Sequence, residues 1–179
     1  MSMKKDFLMP IIVLLFICFF VSGALAVVNS ITRPVIEYEA AYRAAEEKKV
    51  IMPQADNFEQ LHIEGLPRTI TEVYRATNNI GYIFSVSVRG YGRDDMKLLC
   101  GVDMNGRIIR AAVLEHTETI SFFNRVFNEQ HRDQYWGRNK NEIEDIAAIS
   151  GATITSTALK NAMRDSLTAF EIVTGQGVR

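Results

Sequence analysis

The chain has little cysteine, little histidine and no concentration of positive charge. Only two cysteines occur, Cys18 inside an apolar run and Cys100 on an expected strand. They lie far apart, without the paired spacing of zinc or thiol-redox sites, so neither a disulfide framework nor a protein-ligated metal is expected. Three isolated histidines supply no Ser-His-Asp or Cys-His set, which removes hydrolase chemistry and leaves no catalytic residue to name. No Lys/Arg run exceeds Lys4-Lys5 and the net charge is -1, so the basic footprint of a DNA or RNA binder is missing. Internal repeats and low-complexity tracts are absent too. At 179 residues there is room for one domain beside an anchor.

What the chain does have is a long apolar run. Phe7 to Val28 is uncharged and long enough to cross a hydrocarbon core, which needs about 20 residues of helix. Pro10 is expected in its first turn, where a missing N–H costs little, and Ser22-Gly23 would let another helix approach closely. The competing reading is a signal peptide, with Ala24-Leu25-Ala26 as cleavage site; the run exceeds the usual h-region of roughly 7–15 residues and favours an anchor. Lys4 and Lys5 then keep the N-terminus cytoplasmic and place the rest of the chain outside.

A turn is expected at Asn29 to Pro34. Val35 to Val50, rich in Ala, Glu and Lys, predicts a helix. Strands are expected at Thr71–Ala76, Tyr82–Val88, Lys97–Asp103 and Ile108–Leu114, the last two joined by an Asn105-Gly106 hairpin turn. Phe122–Phe127 looks helical and Arg138–Glu144 a charged loop. Thr157–Val173 predicts an amphipathic closing helix with Leu159, Met163, Leu167 and Phe170 on one face. The expected class is α+β, divided into a cytoplasmic tail (1–6), a transmembrane anchor (7–28), a helical connector (29–52) and a small antiparallel-sheet domain (53–179).

Residues 149–157 pack five hydroxyl side chains and the pair Gly151-Ala152 into nine positions just before that helix. One use is helix capping, with Thr155 or Ser156 accepting from an early N–H, and composition alone favours it. The other use is phosphate binding, since Gly-Ala leaves room at the backbone and a helix N-terminus attracts anions.

Ser150-Gly151-Ala152-Thr153 followed by Thr155-Ser156 resembles the flavinylation motif of the FMN-binding domain shared by the G subunit of Rnf electron-transport complexes and the C subunit of sodium-pumping NADH:quinone reductase. Similarity extends to Val28–Thr32, Met52–Asp56 before Phe58, Gly81-Tyr82, and Leu114–Thr119; the single anchor is more like the Rnf protein. The resemblance implies FMN held by its phosphate as an ester on Thr153, with Ser150, Gly151, Ala152, Thr155, Ser156, Glu118 and Thr119 around it, Glu118 and Thr119 near the isoalloxazine. It implies a flavin transferase that uses FAD and Mg2+, and a place in the inner membrane of a prokaryote, where an ion-translocating ferredoxin:NAD oxidoreductase holds further membrane subunits, one of them a second flavin carrier. Two positions depart from the motif. Ala147 stands where an Asp is usual, and Ile120–Asn124 replaces a Pro-Gly-Leu-Gly loop. They leave open a flavin-free interaction subunit as the alternative.

Overall fold

The computed structural model describes residues 3–175; of residues 1–6, the expected cytoplasmic tail, positions 1 and 2 lie outside the described residues, as do 176–179 at the other end. The chain divides into two units, Met1–Tyr42 and Arg43–Arg179, and each is described by itself.

Helix α1 runs Met3–Ile51 with Pro10 and Pro34 inside it. It is long and apolar enough, by length and composition, to cross a membrane. The turn expected at Asn29 to Pro34 is helical instead, and Pro10 lies beyond the first turn. Proline forfeits one backbone bond and strains one turn, a local cost of about 3 kcal/mol that uninterrupted helix on both sides can carry. No glycine lies between Gly23 and Ile51. Ser30 returns a hydroxyl bond to Val27 O (2.8 Å) and Arg33 pairs with Glu37 one turn on (2.8 Å).

In the second unit five strands form an antiparallel meander in chain order: β1 Phe58–Leu61, β2 Ile70–Ala76, β3 Gly81–Val88, β4 Met96–Asp103 and β5 Ile108–Glu115. β1 escaped the sequence reading because it is four residues long. β3 is central, and buried on both faces. Tyr82, Phe84, Val86 and Val88 belong to one core, with Leu98, Cys100 and Val102 of β4 and the closing helix α4, Thr153–Val173. Ile83, with Leu99 and Ala76, belongs to a second core that Ile51 and Met52 cover from the other side. Helix α4 lays down the expected Leu159, Met163, Leu167 and Phe170 stripe, and Ala158, Ala162, Ser166 and Ala169 between them let it lie close to the sheet. Cys100 is wholly inside, its Sγ 3.5 Å from Met163 Sδ; burial pushes its thiol up to about 12, so it behaves as a small core side chain. The Asn105-Gly106 turn forms as expected, Gly106 at φ +72°.

Between sheet and closing helix lie α2 (Ile120–Val126), α3 (Glu129–Arg132) and a 3-10 turn, Asp133–Tyr135. His131 is buried in α3 at 6% exposure, edge-on to Tyr135, and its Nε2 has no hydrogen-bond partner. Burial first, and then the charge of Lys160, lower its pKa from 6.5. The folded chain therefore resists a proton that the unfolded chain accepts, so stability is full above about pH 6.5 and falls as pH drops through the window below it. Urea midpoints of the second unit should be lower at pH 5.5 than at 7.5, and His131→Phe should flatten that difference. Equal midpoints in the native chain would refute the assignment.

Candidate functional site

The closing helix starts four residues earlier than expected, at Thr153. This moves Thr155 and Ser156 from capping positions into the first turn, and the capping reading fails. Ala152 is the N-cap, and no side chain caps the helix. Instead Ser156 bolts the preceding loop: its hydroxyl accepts from Ile149 N–H (3.1 Å) and donates to Thr153 O (3.1 Å), while Ala152 N–H closes on Ile149 O (3.0 Å). With its first N–H groups uncapped, the helix presents its positive end to solvent.

Gly151 has φ +77°, a left-handed conformation that side-chain-bearing residues rarely adopt. A Cβ there would stand 3.0 Å from Arg125 Nη1. Arg125 is exposed, and its guanidinium makes no ion pair or hydrogen bond among the described residues. A cation held beside the positive end of a helix is electrostatically unfavourable unless an anion joins them. Thr153 is exposed, and its hydroxyl makes one long bond, to Ile149 O (3.3 Å). A nucleophile-bearing side chain, an uncapped helix start, a glycine whose missing Cβ lets a guanidinium stand close, and that guanidinium, unpaired among the described residues, together suit a phosphate group.

Gly151, Ala152, Thr153, Ile154 and Thr155 line one side of an open cleft of about 230 Å³, and Tyr91 and Phe122 the other. The rings of Tyr91 and Phe122 meet edge to face at 5.2 Å. Thr155 is buried and donates to Glu118 Oε2 (2.6 Å); Glu118 is itself 6% exposed, and its Oε1 accepts from Gly92 N–H (2.8 Å). Among the expected site residues, then, Gly151, Ala152, Thr153 and Thr155 come together at the cleft, with Glu118 one bond behind Thr155. Ser150 is exposed on the loop, Ser156 is turned into it, and Thr119 is the exposed N-cap of α2 without a side-chain cap bond; none of the three lines the cleft.

Sequence reasoning did not single out Tyr91, Phe122, Arg125 or Ile154. The available signal was Gly90-Tyr91-Gly92, an aromatic between two glycines where a strand ends. Ile120–Asn124 is the start of α2, and a row of rings lies along that helix: His116 stacks on Phe123 at 3.8 Å and 7°, and Phe123 on Phe127 at 4.5 Å. Lys160 is away from the helix start, its Nζ bonded to Glu144 O (3.0 Å). Tyr135 is core, and Trp136 packs beside it under Arg132.

Residues 90–168 match the family described as FMN-binding domain. The matched stretch holds every residue that lines the cleft. Over 167 residues, 88% of this chain and 88% of the relative, the sequence is 23% identical to the G subunit of the proton-translocating ferredoxin:NAD(+) oxidoreductase complex of Clostridium ljungdahlii. The likeness to the FMN-binding domain over these residues, and to an Rnf-type subunit over most of the chain, agrees with the resemblance read from the motif.

Proposed function

We propose, from the premise that residues 90–168 match the FMN-binding domain family, that this chain is an electron-carrier subunit whose FMN is esterified through its phosphate to Thr153. The observation that carries the proposal is the exposed Thr153 hydroxyl at an uncapped helix start, with Gly151 and the unpaired Arg125 beside it. In the loading reaction Thr153 Oγ1 attacks the flavin-side phosphorus of FAD. The pyrophosphate bond breaks, AMP leaves, and the hydroxyl proton passes to solvent; a flavin transferase with Mg2+ supplies the catalysis. The helix start and Arg125 would hold the phosphate, Ser156 would keep the loop closed behind it, and Gly151, lacking a Cβ, lets the Arg125 guanidinium stand close to the helix start. Bound there, FMN supplies one- and two-electron redox chemistry. The cleft is smaller than the roughly 300–1,000 Å³ of pockets that engulf their ligands, so the ring stays partly uncovered, as exchange with a neighbouring carrier requires.

The wider setting follows the relative. The chain takes its place among the membrane subunits of an Rnf-type ferredoxin:NAD oxidoreductase that moves ions, next to a second flavin-bearing subunit. Residues 7–28 cross the inner membrane of a prokaryote once, residues 29–52 connect, and Lys4-Lys5 keep the N-terminus cytoplasmic with the flavin domain on the other side.

Intact mass of the protein from its native membrane should show one FMN added with loss of one water. Unmodified protein throughout would overturn the ester and favour the flavin-free interaction subunit that Ala147 points to. Arg125→Gln should slow loading roughly tenfold, the worth of one charge-assisted bond, and Arg125→Lys much less. Equal loading of all three would remove Arg125 from the site.

A further inference from the structure

The loop between β3 and β4, residues 89–95, sets Tyr91 between Gly90 and Gly92. Neither glycine has room for a side chain. A Cβ on Gly90 would run into Glu118 Oε1, and one on Gly92 would come within 2.7 Å of the Thr117 backbone. The loop therefore lies flat against Thr117-Glu118, and two bonds latch it there: Gly92 N–H to Glu118 Oε1 (2.8 Å) and Asp94 N–H to Thr117 Oγ1 (2.9 Å). Glu118 gives its other oxygen to Thr155 Oγ1 at 2.6 Å. A buried carboxylate is costly unless donors occupy its oxygens, and here each oxygen has one. One side chain thus ties the loop to the first turn of α4, two residues past Thr153.

Aromatic side chains on glycine-flanked loops ordinarily sample many conformations. Tyr91 is different: its backbone is latched on one side, its ring is braced edge to face by Phe122, and it is still 56% exposed beside the Thr153 cleft. A fixed, electron-rich ring facing a cleft offers a surface for another planar ring in offset or edge contact.

We propose that Tyr91 is the shelf for the flavin ring and that Glu118 is the positioning residue that holds it there. The proposal rests on the preceding reading, since it needs a flavin on Thr153. It has an optical consequence. When the flavin is photoexcited, the phenol in contact with it gives up one electron, is oxidised while the ring is reduced, and recovers the electron without net reaction. Emission from the folded, loaded chain is therefore quenched.

The test uses the full chain in detergent, loaded by co-expression with a flavin transferase, with emission lifetimes measured per mole of bound flavin before and after denaturation. The native wild type should be strongly quenched relative to its denatured form. Tyr91→Phe, which keeps the ring and removes the oxidisable phenol, should brighten the native protein several-fold, and Tyr91→Leu likewise, whereas Trp136→Phe should match the wild type. Glu118→Ala, and the milder Thr155→Val that removes one bond of the latch, should give intermediate emission with a spread of lifetimes. A loaded Tyr91→Phe chain as dark as the wild type overturns the shelf. Glu118→Ala and Thr155→Val both as dark as the wild type overturn the positioning role. A wild-type chain that carries no flavin removes this inference together with the reading beneath it, an outcome that the mass measurement tells apart from the other two.

Discussion

Thr153→Ala should abolish covalent flavin altogether, leaving a denatured protein band without flavin fluorescence where the denatured band of the loaded wild type is bright. The reason is chemical. The ester needs an oxygen nucleophile; of the other hydroxyls in the segment, Thr157 is exposed but does not line the cleft, and the rest are no better placed. Ser156 is buried and committed on both sides, to Ile149 N–H and Thr153 O; Thr155 is buried and bonded to Glu118. Ser150 is exposed, yet it precedes Gly151 and stands off the cleft. Thr153→Ser keeps the oxygen at the same backbone position and should still load. The alanine variant should fold, because the Thr153 side chain is exposed and its one hydrogen bond is long at 3.3 Å. Residual adduct in Thr153→Ala, mapped by peptide mass to another hydroxyl, would move the attachment point and with it the geometry argued above.

The largest effect on stability is expected at the other end of the same helix. Phe170 is 1% exposed, meets Tyr82 edge to face at 5.8 Å and lies beneath the hairpin turn, where a Cβ on Gly106 would come within 3.2 Å of its ring. Its ring joins α4, β3 and the β4–β5 turn. Phe170→Ala removes that ring from a packed interior and should cost about 3–5 kcal/mol. For a unit of this size the thermal midpoint should fall by on the order of 10 °C or more. Because α4 also starts at Thr153, loading in cells should drop with the population of folded chain even though the site is untouched. Thermal melts of Phe170→Ala beside Phe170→Leu check this, and the leucine variant should recover much of the loss. A midpoint within a degree or two of the parent would mean that the core at that end collapses to fill the space.

The strongest periodic patterns were readable without coordinates. Alternation placed β2 through β5 to within a residue or two, Asn105-Gly106 announced its turn, and the Leu159–Phe170 stripe identified the buried face of α4. Boundaries set by single residues were not readable in the same way. Asn29 to Pro34 looked like a turn, and helix continues through it because the one bond that Pro34 forfeits is small beside the turns on either side. The hydroxyls of Thr155 and Ser156 looked like caps, but tertiary partners, Glu118 and Ile149, claim them. Strand β1 was too short to show a period, and is held by pairing with β2.

The candidate site divides along the same line. Local sequence by itself determined that a hydroxyl-rich turn with a glycine precedes a helix, and that a long apolar segment precedes the domain, because turn chemistry and hydropathy are properties of neighbours along the chain. Only the tertiary structure decided which exposed hydroxyl lines the cleft, that Glu118 lies behind Thr155 instead of in the open, and that Arg125 and Tyr91, 28 and 62 positions before Thr153 by their numbers, stand next to the helix start. Those choices depend on which groups find partners when distant segments pack: a buried carboxylate must collect donors wherever the fold brings them, and no local pattern records where that is.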